Sequence, residues 1–229
     1  MILTSIQTLM KSNYPIQLFL IALLITSVMS CGESAKKETD QESPALEKTI
    51  EDSPEPQSEK EKTSKTSLTT KTGRIFEIET QNEGASVMNI TVSPKDFPNS
   101  TDSWKIEGAD PLSESFTADL DENGFEELYL VTRSVGTGSY ARIYGYASNR
   151  DLSATPIYVP EPSESDMAQG GAFFGYMGHD SIFMDEGRLY RKFPVYREGD
   201  ENCCPTGGDR RLEYELIPGE ASWILRIKG

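Results

Sequence analysis

Short runs of alternating apolar and polar residues, separated by turn-forming residues, recur from residue 74 to the C-terminus and constrain this chain more than any other feature. Phe76 and Ile78 alternate with Glu77 and Glu79, and Tyr214 and Leu216 with Glu213 and Glu215. A two-residue period places every second side chain on one face of a strand, so such runs suit half-buried strands. No segment carries an apolar i, i+3, i+4 stripe through three turns, which argues against packed helices. The runs predict strands over 74–80, 86–92, 114–118, 127–134, 141–147, 157–159, 181–184, 188–196, 211–216 and 222–227. Asp185-Glu186-Gly187 reads as a hairpin turn, because glycine supplies the positive φ that tight turns require. Strands this short and numerous predict an all-β fold, an antiparallel β-sandwich or open barrel.

The first thirty residues follow another plan. Lys11 precedes an apolar run over 16–29 that stops at Val28-Met29-Ser30-Cys31. A basic start, an apolar core of about fifteen residues and a small residue at its end make a secretory signal peptide. The run is shorter than the roughly twenty residues that span a bilayer, and no basic flank follows Ser30. Met10, followed by Lys11, offers an alternative start. Val28-Met29-Ser30-Cys31 resembles the lipobox of bacterial lipoproteins. The resemblance implies that Cys31 is acylated, that residues 1–30 are removed, and that the chain is lipid-anchored in the cell envelope, at the outer membrane facing the periplasm or the cell surface. An ordinary cleaved signal accounts for the same residues without the lipid. Each buried acyl methylene contributes about 0.8 kcal/mol, so several chains on one cysteine anchor firmly.

Residues 31–72 then form the acylated cysteine and a linker of Glu, Lys, Ser, Thr, Pro and Gln with no aromatic residue. Such a segment buries too little apolar surface to offset its ordering entropy, and is expected to be a disordered tether. The remaining 73–229 has the size of one domain with a single core, and holds both Trp, all but one of the ten Tyr and all but one of the nine Phe. It carries 27 Asp and Glu against 14 Lys and Arg, most of the chain's net charge of −15. That surface repels phosphate backbones, which argues against nucleic acid and favours a basic protein or a cation; solubility alone also accounts for it.

Within this domain, Asp119, Asp121, Asn123 and Glu127 stand at positions 1, 3, 5 and 9 of a loop with Gly124 at position 6. Those are calcium-loop spacings, although position 12 is Leu130 rather than a bidentate Glu. A structural calcium and an ion-free polar turn both fit; no cofactor is otherwise required. The single histidine, His179, stands beside Asp180, which suits a hydrogen-bonded turn better than a zinc site or a catalytic triad. There is no Gly-x-Ser-x-Gly elbow and no phosphate-binding loop, so the chain is not expected to be an enzyme. Cys203 and Cys204 are adjacent; a strained ring, an intermolecular bridge and free thiols all remain open.

Several short motifs occur in a fixed order: Asp119-Leu120-Asp121-Glu122-Asn123-Gly124, Thr137-Gly138-Ser139-Tyr140, Gly175-Tyr176-Met177-Gly178-His179-Asp180, Leu189 to Tyr196, Pro205-Thr206-Gly207-Gly208, and Tyr214-Glu215-Leu216. Together, over residues 116–216, they resemble the periplasmic inhibitor family that targets invertebrate-type (I-type) lysozyme. The resemblance implies a β-sandwich from which a loop enters the lysozyme cleft and occludes its two catalytic carboxyl groups, protecting peptidoglycan. The matching loop is Ser134, Val135, Gly136, Thr137, Gly138, Ser139 and Tyr140, with Thr137 and Ser139 as hydroxyl donors. It departs from the family's Ser-Gly-x-x-Tyr pattern, being one residue shorter and beginning with Thr. Thr206, Gly207 and Arg210 are expected to form a second contact, while Arg191 and Phe193 hold the fold. The alternative is a non-inhibitory envelope lipoprotein that binds glycan or calcium, which aromatics lining a groove would favour. A hydrolase ranks third, because a glycosidase needs only two suitably spaced carboxyl groups. Whether the domain forms a homodimer stays open.

Overall fold

The computed structural model describes residues 62–229. The signal peptide, Cys31 and the linker up to residue 61 lie outside the described residues. The fold is all-β and antiparallel, in three four-stranded meanders that follow one another along the chain. The first sheet contains β1 (Thr63–Thr69), β2 (Ile75–Asn82), β3 (Met88–Lys95) and β4 (Trp104–Ala109). The second contains β5 (Leu112–Ala118), β6 (Glu127–Arg133), β7 (Ala141–Asn149) and β8 (Ser153–Ile157). A single-turn helix, α1 (Glu164–Met167), leads to the third sheet: β9 (Ser181–Asp185), β10 (Arg188–Pro194), β11 (Asp209–Pro218) and β12 (Trp223–Ile227). Among the described residues, no helix is long and apolar enough to cross a membrane.

Side-chain packing places the second sheet between the other two. Leu128 and Leu130 of β6 join Phe76, Ile78, Ile90 and Val92 of the first sheet in one core. Tyr129 and Val131, on the opposite face of the same strand, join Leu189, Leu216 and Leu225 of the third. A strand covered on both faces needs a continuous apolar run, and β6 is buried from Glu127 to Thr132. Backbone bonds from Tyr158 to Trp223 and from Leu225 to Tyr158, both 2.9 Å, tie the end of β8 to β12. The β9–β10 hairpin turns through Glu186 (φ 48°) and Gly187 (φ 78°), the pair of left-handed residues that a two-residue turn demands.

Three expectations need correction. The linker does not extend to Thr72, because β1 pairs with β2 in register from Thr63↔Gln81 to Thr69↔Ile75. As an edge strand of Thr, Ser and Lys with a single apolar residue, Leu68, packed on the core, β1 is held mainly by its backbone ladder, so it carries no apolar alternation. β4 was not expected, although Trp104 and Ile106 alternate with Lys105 and Glu107, because two apolar positions make too short a run. The strand expected at 157–159 is instead β8, with Ala154 and Ile157 buried and Tyr158 turned out to 63% exposure.

Candidate functional site

The β6–β7 connection, residues 134–140, carries the predicted binding loop. The Ser134 N–H donates to the Tyr140 carbonyl at 2.9 Å, and the Tyr140 N–H donates to the Ser134 hydroxyl at 2.9 Å, which closes the neck. Within it, the Ser139 N–H donates to the Gly136 carbonyl at 3.0 Å, with Ser139 at φ 44°. The next three carbonyls are held from behind by residues distant in sequence. Asn202 Nδ2 donates to the Thr137 carbonyl (3.5 Å), the His179 N–H to that of Gly138 (2.6 Å), and Arg133 Nη1 to that of Ser139 (3.0 Å). Gly178 is required here: at φ +88° it lies against the Gly138 carbonyl, and a Cβ would overlap that oxygen. Thr137 is exposed, Val135 is 64% and Tyr140 46% exposed, and Ser139 is half-buried. Among the described residues, no hydrogen bond engages the hydroxyl of Thr137 or Ser139.

Asp180 anchors this brace. Its side chain is fully buried. It accepts the Ala141 N–H at 2.9 Å and the Tyr176 hydroxyl at 3.1 Å, and lies 3.4 Å from Arg191 Nη1. Arg133 Nη1 also donates to the Asp180 carbonyl at 2.7 Å. Burial pushes the Tyr176 phenol well up, so it stays a donor throughout the physiological range. His179 meets the loop through its backbone N–H, while the Tyr176 hydroxyl and the Asp180 carboxylate are bonded to each other behind it. Arg191 and Phe193 lie buried in β10, as expected.

The expected second contact is largely committed to the fold. Asp200 accepts the N–H groups of Arg197 (2.7 Å) and Thr206 (2.8 Å) and the Thr206 hydroxyl (2.9 Å). The Gly207 N–H donates to the Val195 carbonyl at 2.8 Å. Arg210 Nη1 is shared by the carbonyls of Gly171 (2.8 Å) and Ala172 (2.9 Å). Asn202, four residues before Thr206, makes the link to the loop. Beside it, Cys203 and Cys204 are joined as a vicinal disulfide with Cα atoms 3.8 Å apart.

Three of the four predicted calcium ligands converge. Carboxylate oxygens of Asp119, Asp121 and Glu127 lie within 4.8 Å of one another. Asn123 keeps its oxygen out of the cluster: its Nδ2 donates to Asp121 Oδ2 at 2.7 Å and its Oδ1 accepts the Phe125 N–H at 2.8 Å. Glu127, the first residue of β6, is 1% exposed and accepts the Leu120 N–H at 3.0 Å. Burial, with a smaller contribution from Asp121 and Asp119, pushes its carboxyl up to about 8. The oxygen donors suit a hard cation, but Leu130, at position 12, is buried in β6.

Arg133 and Asn202 were not singled out from the sequence, and Gly178 and Asp180 were read only as parts of the turn and motif around His179. Only Gly178-His179-Asp180 left a signal, as a glycine-punctuated turn. Comparison of the sequence with protein-family models and with curated proteins, and of the fold with solved structures, finds no match.

Proposed function

We propose that this protein is a non-enzymatic inhibitor of an I-type lysozyme, tethered in the cell envelope through a lipid on Cys31, at the outer membrane facing the periplasm or the cell surface. The observation that carries the reading is the braced loop. Three successive carbonyls are fastened from behind while Val135, Thr137 and Tyr140 face solvent and both hydroxyls keep their hydrogen-bonding capacity. A loop already held in shape loses little conformational freedom when it enters a cleft. Lysozyme chemistry needs one protonated and one ionised carboxyl group flanking the scissile bond. Hydroxyl donors at a loop tip satisfy such a pair while displacing the sugar. The excess of acidic residues suits a basic partner. The inhibition itself requires no cofactor, and the Asp119, Asp121 and Glu127 cluster accommodates a structural calcium ion away from the loop.

Residual activity of an I-type lysozyme on peptidoglycan, titrated with this protein, tests the reading. Inhibition is expected, and the double variant Thr137→Ala/Ser139→Ala should inhibit about tenfold less at an unchanged unfolding midpoint. Full lysozyme activity in the presence of saturating protein would sink the reading. Lysis by the protein alone would replace it with an enzyme.

A further inference from the structure

A cleft of about 580 Å³ opens between the second and third sheets, beneath the segment that joins β8 to β9. That volume suits a ligand of one or two sugar rings. Tyr140, Tyr144, Phe173, Tyr176 and Tyr214 line it, together with Arg191. Arg191 is 6% exposed, and its guanidinium lies 5.6 to 5.9 Å from the ring centres of Phe173, Tyr176 and Tyr214.

This buried cation is incompletely compensated. Among the described residues Asp180 is its only carboxylate partner, and Arg133 shares that carboxylate, at 3.8 Å. Two guanidinium groups therefore face one negative charge. The oxygens of Asp180 also accept from the Ala141 N–H and the Tyr176 hydroxyl. Arg191 Nη2 donates to the Ala141 carbonyl at 3.3 Å and Nη1 to the Tyr176 hydroxyl at 3.5 Å, both neutral acceptors, and among the described residues its buried Nε–H has no acceptor. Protein interiors seldom leave a guanidinium donor unmatched, and the excess of one positive charge favours an anionic acceptor over a neutral one. The other cations on the cleft wall do not compete: Arg142 pairs with Glu161 at 3.2 Å and Arg226 with Glu215 at 2.8 Å. Asp166 accepts from the Ser163 N–H and hydroxyl, at 2.8 and 2.6 Å.

We propose that this cleft binds a small organic carboxylate, whose anionic group pairs with Arg191 and whose ring-sized body fills the aromatic-walled space. The proposal is independent of lysozyme inhibition. Two sources share the chemistry, a sugar acid and an aromatic acid, and paired titrations of the full chain separate them. Calorimetry would compare N-acetylmuramic acid with N-acetylglucosamine, and benzoate with benzyl alcohol. At least one acid is expected to bind about tenfold more tightly than its neutral counterpart. Equal binding within both pairs, or no binding by either acid up to roughly 10 mM, overturns the proposal. Val159→Trp, which fills the cleft from its wall, and Arg191→Met should each weaken the acid about tenfold. Because Arg191→Met removes a buried charge that the fold uses, Val159→Trp decides if the first variant does not fold. Undiminished binding of the acid by folded Val159→Trp places the site elsewhere and also overturns the proposal.

Discussion

At Gly178 the chain passes the Gly138 carbonyl so closely that only a hydrogen fits, and its φ of +88° disfavours any side chain. Gly178→Ala should cost about 1–3 kcal/mol and weaken lysozyme inhibition, because relief of the overlap must push the loop from its brace. Thermal unfolding and residual lysozyme activity measure the two effects; an unchanged inhibition constant would show that the loop's position is irrelevant. Glu127 gives a pH dependence of fixed sign. Its carboxyl rises from an ordinary 4.5 to about 8 in the fold, so the native state holds a proton that the unfolded chain releases. Its contribution is full below pH 4.5, and stability falls as pH rises towards about 8, by a few kcal/mol at most. In chelator, Glu127→Gln should remove this part of the slope and raise the midpoint at pH 9. Calcium should raise the wild-type midpoint more at pH 8.5 than at pH 6, since binding requires the carboxylate. A midpoint indifferent to calcium at both pH values would remove the ion from the cluster.

β1 belongs to the domain although its sequence reads as tether. Its pairing with β2 covers an edge, and Lys71, just beyond it, supplies two bonds to Glu126, whose side chain is 8% exposed. The Lys71 N–H donates to Oε2 at 2.7 Å, and Nζ lies 3.1 Å from Oε1. Starting the chain at Gly73, where composition places the boundary, removes both. Such a chain should lose at least about 2 kcal/mol relative to one starting at Lys62, and should self-associate through the bared β2 edge. Urea midpoints and light scattering compare the two; identical behaviour would make β1 an ornament of the fold. Apart from β6, whose two buried faces make a continuous apolar run, the strands found from the sequence have one face in a core, since burial of one face imposes the two-residue period. β1 is held by backbone bonds, and β8 runs through Pro156 on an edge. Both lack that imprint.

Because the middle sheet contributes side chains to both cores, neither outer sheet can leave without exposing half of β6. The two tryptophans report on the two sides. Trp104 of β4 stacks on Tyr146, with ring centres 4.9 Å apart, and Trp223 of β12 donates to Asn149 Oδ1 at 3.3 Å. Trp104→Phe and Trp223→Phe leave one reporter each, and their fluorescence transitions should track far-UV circular dichroism within about 2 °C in each variant. A reporter that departs from the overall transition would mean that the cores melt separately. Alternation, turn residues and the break in composition are local properties, so the all-β class, the β9–β10 hairpin and the loop between β6 and β7 could be read directly from the residues. The brace could not. Arg133 and the Asp180 carbonyl are 47 residues apart, and the Ala141 N–H and Asp180 carboxylate 39. Nothing in a neighbourhood of sequence marks such partners. Only the stacking of three sheets brings these groups together, and only that stacking leaves a buried arginine facing an aromatic cleft, because a charge is partnered by what the fold carries to it.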